Sequence, residues 1–436
     1  MADSRGQLSP PAPRRGNRRR RALLLPAMAL ALLPGIAIGA VPGFDGGHLK
    51  LRWQGSSYPG DSAYREVFGE VADDEYADLR LKFSGSRQRF SVQGDYQLIG
   101  QWGDSLELPV DSNGLLLLPP SLPNDDLRWW NLTDTLSDND TRGAVQRLDR
   151  LNVGYTGDKA VLRFGRQAVS WGNGLIYNPV DFFNPFNPTA VDTEYKLGED
   201  MLYGQYLLDD GSDWQAVVVQ RRDEYGSANS EQRTTALKFH GFGLEAEYDL
   251  LLAENFNEFI AGIGGVSNLG EAVLRGDITF TDARDGWVTS AVANWSWSWV
   301  LGGCNATVAL EYFYNGFGLA DDDYTPENIL ADKDLAQRLQ RGELYTIGRH
   351  NMAGSLLVEV APLLNITSNL FANLEDGSAL AQLVAQWDLA QDWQLLAAAT
   401  APLGSKGTEY GGIETGIDDL GLAVGPSLLV QLAWYF

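Results

Sequence analysis

The sequence predicts an all-β protein: a transmembrane antiparallel β-barrel of about 18 strands, with about 16 as the alternative count. Three observations carry this. Leu428, Val430, Leu432, Trp434 and Phe436 share one face of a terminal strand, because strand side chains alternate with period two, while Leu429, Gln431, Ala433 and Tyr435 share the other. In water that aliphatic and aromatic stripe would invite edge pairing; in lipid it makes the closing strand of a barrel. After residue 39 no run of about 18 apolar residues occurs, and hydrophobicity comes in alternating segments of roughly ten. Finally, the connections between these segments sort by length, short and long in turn.

The N-terminal stretch is a separate matter. Arg14, Arg15 and Arg18 to Arg21 precede an apolar core, Ala22 to Ile38, which ends in the small-residue site Ala37-Ile38-Gly39. That order marks a secretory signal peptide, so residues 1–39 are expected to be removed and residues 40–436 to form a single barrel domain. Pro26 and Pro34 interrupt the core, which argues against a spanning helix there. The chain has a formal charge of −24, and residues 1–39 hold seven arginines and one aspartate, so the remainder stands at about −30. A surface so acidic argues against nucleic acid as a partner. Cys304 is the single cysteine, so an internal disulfide or a cysteine metal site is excluded.

In chain order the candidate strands fall near 48–54, 75–84, 88–97, 145–156, 159–169, 200–209, 213–222, 232–240 and 243–252. They continue at 258–266, 271–281, 286–300, 304–315, 350–361, 363–373, 379–389, 392–401 and 426–436. Gly85-Ser86-Arg87, Gly157-Asp158, Asp210-Gly211-Ser212, Gly241-Phe242, Asn268-Leu269-Gly270, Gly302-Gly303, Pro362 and Gln391 are the short connections. The longest of the others are 98–144, 170–199, 316–349 and 402–425. Outer-membrane barrels place short turns in the periplasm and long loops outside, so both termini are expected in the periplasm. Trp214, Trp297, Trp299, Trp387, Trp393 and Trp434 then form one interfacial girdle.

Strand parity assigns the lumen. Leu79, Leu81 and Phe83 facing lipid send Arg80 and Lys82 inward, and the next strand sends in Arg89 and Asp95. Arg150 and Arg163 follow by the same argument. Later strands reverse the sign, with Glu245, Glu247 and Asp249 alternating with apolar neighbours, then Asp277, Glu311 and Glu359. The expectation is a basic wall facing an acidic wall; local ion pairing is the alternative.

Residues 165–200 are the most unusual internal stretch. Asn178-Pro179, Asn184-Pro185 and Asn187-Pro188 stiffen it, because each proline fixes its own φ and restricts its predecessor. Trp171, Phe182, Phe183 and Phe186 give it apolar surface. This is the composition of a constriction loop, with Trp171, Asn178, Asp181, Phe183, Asp192, Glu194 and Lys196 as its candidate residues; a loop resting outside is the alternative. In loop 316–349, Thr325, Pro326 and Gly342 bracket a helix. Loop 98–144 holds Leu115 to Leu118 and Trp129-Trp130, enough apolar matter to fold back on the mouth.

The barrel pattern with its closing Phe436 resembles bacterial outer-membrane porins over nearly all of the chain after residue 39. Gly165-Arg166-Gln167 with Trp171-Gly172 is similar to a short motif of porin-like and alginate-export-type families. The alginate-export type implies a strongly basic channel for an acidic polymer, whereas here inward carboxylates match or outnumber inward bases. The reading is therefore an outer-membrane channel that passes small polar or charged solutes through a water-filled lumen narrowed by an infolded loop. The alternatives are an importer of hydrophobic or aromatic compounds and an anionic-polysaccharide export channel. His240 and His350 have no nucleophile at a useful spacing, so no enzyme activity, cofactor or metal site is expected. The expected partners are outer-membrane lipid and lipopolysaccharide, the barrel-assembly machinery through the C-terminal strand, and small solutes; a homo-oligomer is left open.

Overall fold

The computed structural model describes residues 43–107, 122–139, 141–243, 245–416 and 420–436, so the signal segment and Leu115 to Leu118 lie outside the described residues. The first half contributes β1 (Phe44–Ser57), β2 (Val71–Arg87), β3 (Phe90–Gly103), β4 (Thr133–Asn139), β5 (Arg142–Thr156), β6 (Ala160–Gln167), β7 (Glu199–Leu207), β8 (Asp213–Val219), β9 (Thr234–Gly243) and β10 (Ala246–Asn255). The second half contributes β11 (Glu258–Leu269), β12 (Ala272–Ala283), β13 (Gly286–Leu301), β14 (Cys304–Tyr314), β15 (His350–Ala361), β16 (Leu364–Asn373), β17 (Ala379–Ala390) and β18 (Trp393–Leu403). A two-residue pair, β19 (Ile413–Glu414) and β20 (Gly421–Leu422), precedes the last strand, β21 (Ser427–Tyr435).

All pairings of the main sheet are antiparallel, and β1 pairs with β21 from His48 opposite Tyr435 to Ser56 opposite Ser427. The sheet is thus closed, with 18 strands in the circuit. β4 is the extra member, unanticipated by alternation: it covers Arg142–Arg147 of β5, beyond the point where the shorter β6 stops pairing. The expected Gly241-Phe242 turn lies farther on, since β9 runs to Gly243 and β10 begins at Ala246, with Glu245 at φ +62°. β1, β2 and β5 extend beyond the expected bounds, because the ladder continues past the lipid-facing alternation, whereas β6 and β8 stop short of theirs at Gln167 and Val219.

The terminal strand shows how the two faces separate. Leu428 and Val430 are 55% and 40% exposed on the outside, while Gln431 and Ala433 on the inside are 3% and 1% exposed. Gly47 and Phe436 exchange both backbone hydrogen bonds, so the last residue is tied to the first strand. The six girdle tryptophans lie at the short-turn ends of their strands, with Trp297 stacked on Trp299 and Trp393 on Trp434.

Among the described residues the long loops carry three short α-helices: α1 (Ala63–Phe68), α2 (Pro326–Ala331) and α3 (Lys333–Arg341). The single helix expected between Thr325 and Gly342 is split. Thr325 caps α2, but Asp332 adopts extended backbone and caps α3 by accepting from Leu335 N at 3.0 Å. An aspartate that competes for backbone donors restarts the helix there.

Val430→Arg places a charge on the lipid face and is expected to destabilise the folded barrel by about 2–4 kcal/mol. Leu429→Arg, one residue earlier and inward, is expected to cost less. Urea unfolding of both variants in lipid vesicles checks the contrast, and equal losses would contradict the assigned faces.

Candidate functional site: a loop bound around the lumen

The connection between β6 and β7, residues 168–198, enters the barrel and touches its inner wall in sequence. Trp171 Nε1 donates to Gln215 of β8 at 2.8 Å, and the Trp171 ring meets Phe183 edge-on. Gly172 has φ +97°, and a Cβ there would lie 1.9 Å from Asn178 Oδ1, so the turn requires glycine. Asn178 in turn donates to Trp171 O at 2.7 Å, closing the loop on itself.

Two wall carboxylates then take up the loop's backbone. Asp277 of β12 accepts from Asn173 N at 2.6 Å, from Asn173 Nδ2 at 2.7 Å and from Gly174 N at 3.3 Å. Glu311 of β14 accepts from three successive amides, Leu175, Ile176 and Tyr177, at 2.7, 3.0 and 2.5 Å, and from Asn294 Nδ2 at 3.0 Å. Further on, Gln382 of β17 donates to Thr189 O at 3.0 Å. Asp192 accepts from Lys50 of β1 at 2.6 Å and from Gln431 of β21 at 2.8 Å. Glu194 pairs with Lys50 at 2.8 Å and accepts from the Tyr435 hydroxyl at 2.9 Å. Lys196 pairs with buried Asp181 and donates to Val169 O, tying the end of the loop to its beginning. Burial alone would raise the Asp192 carboxyl, but the Lys50 hydrogen bond and charge, with Gln431, hold it below the ordinary aspartate range.

The basic side of the wall is paired as well. Asp149 is fully buried and meets three guanidinium groups: Arg150 at 2.7 Å, Arg80 at 2.8 Å and Arg147 at 3.3 Å. Asp95 lies 3.5 Å from Arg80, whose guanidinium also covers the Tyr195 ring of the loop. Lys82 reaches the Tyr195 hydroxyl at 3.3 Å, and Arg163 stacks over Tyr203. Arg147 and Asp149 are the residues that alternation missed. A bulge opposite Asp95 and Tyr96 shifts the parity of β5, so Arg147 and Asp149 join Arg150 and Asn152 on the inside. The adjacent charges Asp149-Arg150 are the available signal, since a regular strand would put one of them in lipid.

The remaining candidates divide. Asp249 faces Lys238 at 3.3 Å and His240 at 3.0 Å. Glu247 is exposed near the β9–β10 turn, and Glu359 is exposed and accepts from Asn305 at 2.6 Å. Arg89 and Glu245 are corrections: both sit in short hairpin turns, off the strand walls. Arg89 is there because β3 begins only at Phe90, and it pairs with Asp158 of the next turn. Glu245 is there because β9 runs on to Gly243. Two facing walls of free charge do not occur among the described residues; most of the inward charges have close partners. Arg166, from the Gly165-Arg166-Gln167 block, is likewise committed. It grips Asp200 with two hydrogen bonds, Asp125 at 2.7 Å and Trp130 O at 2.7 Å, joining loop 122–132 to the barrel.

On the long-loop side Glu409 joins two long loops. It accepts from Ile347 N at 3.0 Å, Gly348 N at 3.2 Å and Asn373 Nδ2 at 2.7 Å. Burial outweighs these donors and, with the charge of Asp376, raises its carboxyl to about 7.

No family model and no curated protein matches the sequence. Among solved structures, OccAB4 of Acinetobacter baumannii superposes with a TM-score of 0.50, at 9% identity, over 90% of this chain and 97% of that one. The chain shares that protein's fold. OccK5 (OpdH) of Pseudomonas aeruginosa and a BenF-like porin from Pseudomonas fluorescens Pf-5 each align with a TM-score of 0.48. Their identities are 10% and 11%, with 91% and 90% of this chain covered and 100% and 97% of theirs.

Two predictions follow from this geometry. Glu311→Ala leaves three amides without an acceptor, at about 1–3 kcal/mol for each donor left unsatisfied. Hydrogen exchange at Leu175 to Tyr177 should then accelerate by at least about tenfold, with Glu311→Gln intermediate; unchanged exchange would show that the clamp does not hold the loop. The second concerns pH. Because the folded state raises the Glu409 carboxyl above its ordinary value of 4.5 to about 7, the loop junction gains stability that is full below 4.5 and lost as pH rises through 7. The nearby titratable groups are Asp376, Tyr177, Tyr324 and Tyr410. Exchange protection of the Ile347 and Gly348 amides should fall between pH 5 and 8, on the order of 3 kcal/mol in all, and Glu409→Gln should flatten the profile.

Proposed function

We propose that the protein is an outer-membrane channel for small polar or charged solutes, narrowed by residues 168–198. The observation that carries this reading is the loop itself: a stiff segment of a closed barrel, bound by inward carboxylates and lysine to strands on several sides of the lumen. A wall so arranged restricts passage by size and by the polarity it presents. The outward aliphatic faces and the tryptophan girdle suit a lipid bilayer. On this reading residues 1–39 direct export, both termini and the short turns face the periplasm, and Phe436 belongs to the strand offered to the barrel-assembly machinery.

The pore charges follow from what is already engaged. Asp277, Glu311, Asp192 and Lys196 hold the loop, while Arg80 and Arg150 share Asp149, with Asp95 beside Arg80. Lys82, Arg163, Glu247 and Glu359 are then the candidates left to meet a solute, and the carboxylates among them give the lumen a cation preference, while Asp249 is held by Lys238 and His240.

Planar-bilayer recording of the purified protein tests the reading. Stepwise ion conductance is expected, and none under any condition would overturn it. Glu247→Gln with Glu359→Gln should lower cation preference, while Glu311→Ala should raise conductance several-fold by releasing the loop.

A further inference from the structure

Loop 168–198 is also the floor of a chamber. Between it and the outer loops lies a cavity of about 720 Å³, a size suited to a small organic ligand. Tyr177 comes from the loop, Leu330 and Tyr345 from residues 315–349, Tyr410 from residues 404–426, and Leu380 from the inner face of β17. Its chemistry is unlike that of the lumen below. Tyrosine rings and aliphatic side chains dominate the lining, and Glu409 is the single carboxylate there.

That carboxylate is not available to a ligand's charge. Its oxygens already accept from Ile347 N, Gly348 N and Asn373 Nδ2. The Tyr345 hydroxyl is turned away to Pro185 O at 3.1 Å, and Tyr177 stacks on Phe313 with centroids 5.1 Å apart. The Glu409 carboxylate and the Tyr345 hydroxyl are thus engaged with protein, while ring faces and aliphatic groups line the space. A charged guest would lose its hydration for no partner; a flat apolar one gains contact with rings, at about 0.5–1.5 kcal/mol for a well-placed aromatic pair beyond the area it buries.

We propose that this chamber binds an uncharged aromatic solute and so selects it, ahead of organic anions, at the outer side of the constriction. The inference rests on the channel reading and names a solute class that this site favours. It places recognition above the charged wall rather than on it.

Indole and benzoate serve as probes, matched in ring character and differing in charge. In planar bilayers, indole should interrupt the ion current saturably, with benzoate at least about tenfold weaker. Leu330→Asp and Leu380→Asp put a charge into the chamber and should each weaken the indole effect by about tenfold or more. Leu330 is half exposed, so its variant should fold normally. Saturation-transfer NMR of indole with the protein in lipid nanodiscs reads the contact without requiring conduction. Equal effects of benzoate and indole would overturn the proposal, as would indole contact that survives both variants. Conductance without saturable indole contact sinks the chamber and leaves the channel standing. Saturable contact, lost in the variants, without conductance sinks the channel reading and leaves the chamber.

Discussion

The hydrogen bonds from three consecutive amides to Glu311 are the constraint on which the interior of this barrel depends. A chain segment brought inside a barrel carries backbone donors that no ladder satisfies, and each one left unpaired is costly. Wall carboxylates answer that need, because an ionised acceptor makes a hydrogen bond roughly twice as strong as a neutral one. Asp277 and Glu311 therefore fix the path of the loop from the side opposite its own strands. The Asn-Pro steps lower the entropy of the unbound loop, so less ordering remains to be offset when it docks.

Charge in the lumen is consequently a fastening before it is a field. Asp149 amid Arg80, Arg147 and Arg150, and Asp192 between Lys50 and Gln431, show the same pattern on the basic side. Pairing at these distances in a buried setting leaves little potential at the centre, since each charge is largely cancelled within a few ångströms. The residues with influence on a passing solute are those whose partners are distant or exposed. Most such groups lie toward the short-turn rim.

The barrel was legible because lipid enforces a strict rule on every spanning strand. Leu428, Val430, Leu432, Trp434 and Phe436 state their orientation without any tertiary knowledge, and the tight turns confirm it along the chain. Alternation failed where the backbone departed from regular pleating. The bulge in β5 hid Arg147 and Asp149, and the extension of β9 carried Glu245 into a turn. The use of Asp277 and Glu311 was hidden for another reason. Parity tells which way a carboxylate points, but the partner that awaits it, here a loop more than a hundred residues away in sequence, is set only by the closed fold.

The clamp and the chamber are parts of one construction. Tyr177 donates its amide to Glu311, and its ring stacks on Phe313, two residues farther along the same strand. The position of the chamber floor is therefore set by β14 through both the backbone and the side chain of one residue. The roof is set separately, through Glu409 and its bonds to Ile347 and Gly348. A solute arriving from the long-loop side would meet an apolar space whose lower surface is rigid and whose upper surface responds to pH. Below that surface it would pass a wall of charges already engaged with one another. Selection by desolvation is strongest at such a boundary, where an apolar group finds contact before any ion finds a partner.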